Sequence, residues 1–142
     1  MSDADETVMC PVASFDIPVD DFEKAESFYS IFDWEMNYVP EWVYTQVTTT
    51  TIDESKIPLA LGAEIPVDKG AINGGIMKRI SRVCSPVITI QVEFIDAYLA
   101  KVALSGGEIV VPKIVVPGVA YYAYIADPAG NILALWEPTK NA

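Results

Sequence analysis

The sequence contains no histidine. That removes the side chain that most often binds metals and moves protons near neutral pH. Positive charge is scarce: nine Lys and Arg stand against 20 Asp and Glu, a net charge of −11. Such a surface repels polyanions, which argues against nucleic acid or an anionic membrane as partner. Only two cysteines occur, Cys10 and Cys84. They are too few for a disulfide scaffold and lack metal-type spacing, so they read as free thiols of a cytoplasmic protein. No apolar run approaches the roughly 20 residues that span a bilayer. The first residues, Met1-Ser-Asp-Ala-Asp-Glu6, are acidic where a secretion signal is basic and then apolar. Residues 1–10 therefore read as a disordered acidic tail.

What remains is rich in apolar residues, 51% against 20% charged, and its length suits one globular domain over residues 11–142. Residues 13–19 alternate with period two, placing Phe15 and Ile17 on one face and Ser14 and Asp16 on the other. Asp20 or Asp21 then caps a helix over 21–32, whose Phe22, Ala25, Phe28, Tyr29 and Phe32 make an apolar face. Strands follow at 34–39 and 42–51, the second carrying the alternation Trp42, Tyr44, Gln46. Residues 52–70, with Pro58, Gly62, Pro66 and Gly70, read as a long loop. Residues 71–78 form a strand whose Gly74-Gly75 pair suits a bulge or the close approach of another backbone, with Asn73-Gly74-Gly75 as a flexible rim.

The second half has the same plan. A strand at 86–92 alternates Val87, Thr89 and Gln91 against Ile88, Ile90 and Val92. A helix over 94–105 ends at Gly106-Gly107. A short strand at 108–111 leads into a proline-bounded connection over 112–118. The runs 119–126 and 131–137 flank the turn Asp127-Pro-Ala-Gly-Asn131 and close the chain as a hairpin. Superposing Ile17 on Ile90 aligns strand with strand and helix with helix. Repeat one covers about 12–80 and repeat two about 86–138.

Four pieces together carry a family likeness: Phe15-Asp-Ile-Pro-Val-Asp-Asp21 running into Phe28-Tyr29; Phe32-Asp-Trp34; Ile72-Asn-Gly-Gly-Ile76; and Gly106-Gly107 leading to Val111-Pro-Lys113, Val116-Pro-Gly118 and Asp127-Pro-Ala-Gly-Asn131. In order and spacing the sequence resembles the vicinal oxygen chelate superfamily of glyoxalases, bleomycin-resistance proteins and dioxygenases, and within it the single-module glyoxalase-related proteins. The resemblance implies an α+β fold of two βαβββ repeats, with mixed sheets curled around a cup, helices outside, and assembly as a homodimer. It also implies where a metal is usually held, and those positions map to Ser14, Val87 and Ala134, with a fourth near Asn73–Met77. Valine and alanine have no donor atoms, and a serine hydroxyl is a poor ligand for a transition metal. No metal and no cofactor are expected.

The cup-facing candidates for a small ligand are Ser14, Asp16, Trp42, Tyr44, Gln46, Gln91, Tyr122, Tyr124, Ala134 and Trp136. Aromatic walls with a few polar tips suit flat, hydrophobic molecules; the same rings could equally fill space between sheet and helix. Ala134, lacking a ligand side chain, should leave room beside Trp136. Asp16 is the candidate general base if burial raises its pKa. Glu137 reads as a surface or dimer-edge residue. Lys78, Arg79 and Arg82 form a local basic cluster that reads as a solvated face. Three functions follow, in order of preference. The first is a metal-independent module binding a small aromatic or hydrophobic molecule. The second is a metal-free lyase or isomerase, and the last a metal-dependent glyoxalase or dioxygenase.

Overall fold

The computed structural model describes residues 9–53, 55, 68 and 70–139. The expected tail lies outside these residues up to position 8, as does most of the expected 52–70 loop. Eight strands and two α-helices follow one another as β1 (Val12–Val19), α1 (Phe22–Tyr29), β2 (Glu35–Val39), β3 (Tyr44–Thr48), β4 (Asn73–Lys78), β5 (Val87–Gln91), α2 (Ile95–Leu104), β6 (Glu108–Val116), β7 (Ala120–Ala126) and β8 (Ile132–Pro138). The fold is α+β. No helix among the described residues is long and apolar enough to cross a membrane.

The strands form one mixed sheet in the order β2-β3-β4-β1-β5-β8-β7-β6. Each half contributes four neighbours, and the second half repeats the first in mirrored order, as the duplicated sequence pattern requires. The two first strands, β1 and β5, pair antiparallel at the centre, with Ser14 opposite Thr89 and Asp16 opposite Val87. This ladder corrects the expectation of separate curled sheets. Hydrogen bonds run unbroken from one half to the other, and the result is a single sheet without strong curl.

Both helices lie on one face. Phe15 and Ile17 of β1 share that face with Ile76, and Thr45 beside Ile76 donates a 2.6 Å hydrogen bond to Glu26 of α1. On the other half Ile90, Ala123, Ile125 and Leu135 pack under Ile95 and Leu99 of α2. Asp21 caps α1 by accepting from the Lys24 N–H at 3.0 Å. The helix ends at Tyr29, short of the expected residue 32, and a 3-10 turn over Ser30–Phe32 follows. No residue of α1 is fully buried, and Phe28 and Phe32 are exposed rather than core. Two turns of helix cover little sheet. Trp34 instead collects Phe15, Tyr29 and Phe32 around itself, stacking on Tyr29 at 5.5 Å between ring centroids. Gly106 ends α2 in the left-handed region, φ 87°, as expected of a glycine C-cap.

Three further expectations change. Residues 112–116 are not a connection but the continuation of β6. Pro112 cannot donate to a ladder, but β6 is an edge strand, and register shifts between Ile109 and Ile114 absorb the proline. Trp42 is not on a strand. It ends a 3-10 turn over Pro40–Trp42, and Val43, with φ 48°, redirects the chain into β3, which stops at Thr48 rather than Thr51. Asn73-Gly74-Gly75 is not a rim but lies inside the sheet. There the Asn73 carboxamide accepts from the Thr49 N–H at 2.8 Å.

Candidate functional site

The sheet face without helices carries the candidate site. Period-two alternation sends Ser14 and Asp16 of β1, Thr89 and Gln91 of β5, Trp136 of β8 and Tyr122 and Tyr124 of β7 to this face. Tyr44 and Gln46 of β3 join them, and Trp42 approaches from its turn. A cavity of about 660 Å³ opens here. Ser14, Asp16, Trp42, Tyr44, Gln46, Gln91, Tyr122, Tyr124 and Trp136 all line it, so nine of the ten expected ligand-site residues come together around one space. Ala134 does not. It is fully buried among Met77, Val83, Val87 and Tyr124. The room expected beside it is filled, because Tyr124 lies directly opposite on β7 and reaches over to donate to the Met77 sulfur at 3.3 Å.

Asp16 is the chemical centre. Its side chain is buried, with 4% of the residue exposed. Tyr44 donates to one carboxyl oxygen at 2.7 Å and Tyr122 to the other at 2.5 Å. Tyr122 lies three strands from β1 in the sheet order, so this contact joins the two halves across the open face. The Thr89 hydroxyl is 3.2 Å from the Tyr122 oxygen and extends the network into the sheet. The Tyr122 and Tyr124 rings meet edge to face at 5.4 Å.

Tyr44 reaches Asp16 by crossing Gly75, which stands opposite Asp16 on β4. A β-carbon at position 75 would lie 1.9 Å from the Tyr44 phenol, so only glycine fits under this ring. Gly74 meets the same demand from the other side, where a β-carbon would lie 2.2 Å from the Phe15 carbonyl. The glycine pair thus serves close approach of neighbours, the second of the two expected uses.

Burial disfavours charge on Asp16 and pushes its carboxyl up to about 6, while the hydrogen bonds from Tyr122 and Tyr44 pull against that rise. The Tyr44 and Tyr122 hydroxyls are pushed well above the ordinary phenol range by burial first and then by the neighbouring Asp16 charge, and Tyr124 is raised for the same reasons. At neutral pH the site therefore holds an ionised carboxylate clamped by two neutral phenols. It can accept a further hydrogen bond or a proton from a bound molecule.

The positions expected from the family to hold a metal do not fit one. Val87 and Ala134 are buried without donor atoms, and Ser14 offers only a hydroxyl. In the stretch Asn73–Met77 the Asn73 oxygen accepts from the Thr49 N–H, Gly75 has no side chain and the Met77 sulfur accepts from Tyr124. Among the described residues no three His, Cys, Asp or Glu side chains gather as ligands. Of the basic cluster, Arg79 pairs with Asp20 at 2.8 Å and Arg82 with Glu108 at 2.6 Å on the surface, while Lys78 lines the cavity. Glu137 has a specific partner: its carboxylate accepts from the Ile95 N–H at 2.9 Å and caps α2, whose own N-cap residue, Phe94, offers no side-chain acceptor.

Several lining residues were not singled out from sequence. Ile114 and Val116 belong to the stretch misread as a connection, and Val43 and Ile80 lie outside regular strands. Met77 shares the alternation of Gly75 and was legible from the strand pattern alone.

Comparison with known proteins agrees with this architecture. The family model described as Glyoxalase/Bleomycin resistance protein/Dioxygenase superfamily matches residues 12–135. No curated protein matches significantly. Among solved structures, one described as an NAD-dependent benzaldehyde dehydrogenase from Legionella pneumophila superposes with a TM-score of 0.58 at 15% identity, covering 89% of this chain and 98% of that one. A methylmalonyl-CoA epimerase from Mycobacterium tuberculosis gives 0.54 at 13% identity, over 98% and 93%. A glyoxalase/bleomycin resistance protein/dioxygenase superfamily member from Vibrio splendidus 12B01 gives 0.54 at 13%, over 91% and 98%. At such identities the likeness is one of fold.

Proposed function

The chain belongs to the Glyoxalase/Bleomycin resistance protein/Dioxygenase superfamily, and from that premise we propose that it binds a small aromatic or hydrophobic molecule without a metal. One observation carries the reading. The helix-free face holds a cavity of about 660 Å³ with Trp42 and Trp136 among its walls and a buried carboxylate, Asp16, held by Tyr44 and Tyr122. Volume and lining match small-molecule sites, which are mostly apolar with a few converging polar groups. Val87 and Ala134, donor-free at two of the metal positions, favour an organic ligand over an ion. Assembly as a homodimer belongs to the same proposal.

The test uses N-phenyl-1-naphthylamine, a neutral aromatic fluorophore. It should bind the wild-type protein saturably, and Trp136→Ala should weaken binding by about 1–3 kcal/mol, the worth of burying an aromatic surface, while the far-ultraviolet circular dichroism is unchanged. Absence of saturable binding, or a Trp136→Ala variant that unfolds with no separate ligand effect, would overturn the proposal. A monomer by light scattering would remove the homodimer.

A metal-free lyase or isomerase is the second reading, and the position of Asp16 favours it. A carboxyl raised to about 6 inside a cavity is poised as a general base. Exchange of a ligand's carbon-bound hydrogen for deuterium from solvent, lost in Asp16→Asn, is its signature.

A further inference from the structure

We infer that the ligand of this cavity carries a protonated amine on a flat apolar body, and that Asp16 receives the ammonium; the inference rests on the binding function proposed above and names the chemistry of its ligand. Among the described residues Asp16 is the one acidic side chain lining the cavity, and the one basic lining residue, Lys78, is exposed where β4 ends. Among the described residues the ion pairs are Arg79–Asp20, Arg82–Glu108 and Lys113–Asp96, none of which touches Asp16. Its two partners are neutral phenols. A buried carboxylate satisfied by neutral donors alone keeps an uncompensated charge, which is costly in a low-dielectric setting.

A carboxylate offers about four lone-pair sites, and Tyr44 and Tyr122 occupy two. Asp16 lines the cavity, so a donor carried by a bound molecule can reach the sites that remain. An ammonium would supply both that hydrogen bond and the missing positive charge. Trp42, Tyr44, Tyr122 and Trp136 line the same space, and aromatic rings attract a cation through their quadrupoles. The net charge of −11 draws cations toward the surface over longer range.

The pH dependence follows from the groups around Asp16. β3 presents Tyr44, β7 presents Tyr122 and Tyr124, β5 presents Val87 and Thr89, and β8 presents Trp136. β4 presents Gly75, with Lys78 at its far end. The three phenols are raised above their ordinary range and stay neutral near pH 7. Asp16, at about 6, changes charge across the working range. Ammonium affinity should follow its ionised fraction.

Three probes of one shape test the inference by titration calorimetry: 2-naphthylmethylamine as its ammonium, 2-naphthylmethanol, and 2-naphthoate. At pH 7.5 the amine should bind at least tenfold tighter than the alcohol, and naphthoate weakest. At pH 5 the advantage of the amine should shrink by roughly tenfold as Asp16 protonates. In Asp16→Asn the amine and alcohol should bind alike at both pH values. Should Asp16→Asn fail to fold, the wild-type pH comparison decides by itself. If the alcohol or naphthoate equals the amine at pH 7.5, the amine inference falls and the cavity function stands. If none of the three binds, the cavity function falls with it.

Discussion

Tyr122 and Asp16 stand 106 positions apart in the chain, one in each repeat, and their side chains meet at 2.5 Å. With the 2.7 Å bond from Tyr44, this contact ties β3, β1 and β7 together across the open face of the sheet. Removing the hydroxyl alone, in Tyr122→Phe, keeps the ring but leaves the buried carboxyl one donor short. The expected loss at pH 8 is about 1–3 kcal/mol of unfolding free energy, and the Asp16 carboxyl should titrate above its present value of about 6. Carbon-13 NMR of the carboxyl together with urea denaturation reads both; an unmoved titration would show that the bond does not form in solution.

Asp16 also gives stability a pH dependence of definite sign. Its carboxyl goes from 3.8 in the ordinary state to about 6 in the folded one. The folded protein therefore holds this proton more tightly. That contribution is fully present below about pH 3.8 and is lost as pH rises through about 6, a difference of about 3 kcal/mol at 1.36 kcal/mol per pH unit. Asp16→Asn has no such proton. Between pH 4 and pH 7.5 its unfolding free energy should gain about 2–3 kcal/mol on the wild type, measured by denaturation at both pH values. A constant gap would mean that the carboxyl is not desolvated.

Gly75→Ala places a methyl group inside the Tyr44 phenol. Either the ring swings off Asp16 or β4 shifts, and overpacking of this kind costs about 1–3 kcal/mol. The cost should largely vanish in a Tyr44→Ala background, because the obstruction is then gone. A double-mutant cycle gives the coupling directly; additive effects would place Tyr44 elsewhere.

Glu137→Ala should remove the cap of α2 and cost about 1 kcal/mol, as for other N-terminal caps. Glu137→Gln keeps an acceptor for the Ile95 N–H and should cost less. Thermal denaturation distinguishes the two variants, and equal stability would show that the cap contributes nothing.

The strands at 12–19 and 87–91 were legible because alternation of apolar and polar residues is a local property, and the one at 73–78 was read from its paired glycines. β6 beyond Pro112 was not. A proline inside an apolar run argues against a strand unless the strand lies at an edge, and edge position is settled only when the whole sheet assembles. Trp42 was misplaced for a related reason: the reversal at Val43, φ 48°, is rare for a β-branched residue and has no sequence signature. Most site residues were readable one by one as members of the face opposite Phe15 and Ile17. Their convergence on Asp16 was not, since nothing local sets Tyr122 of one repeat against β1 of the other. The space beside Ala134 was misjudged because the size of the opposite residue, Tyr124, depends on a cross-strand register that the sequence does not display.

The interrupted course of β6 bears on how the protein behaves when crowded. An open sheet ends in two unpaired borders, here β2 and β6. β6 also exposes Ile109, Ile114 and Val115, the kind of apolar border on which a passing chain can template and polymerise. Pro112 withholds an amide in the middle of that border, and the register shifts between Ile109 and Ile114 break its regular spacing. A foreign strand pairing here would meet that break in the middle of the edge. The proline that obscured the strand in the sequence is thus also a guard against amyloid-like growth.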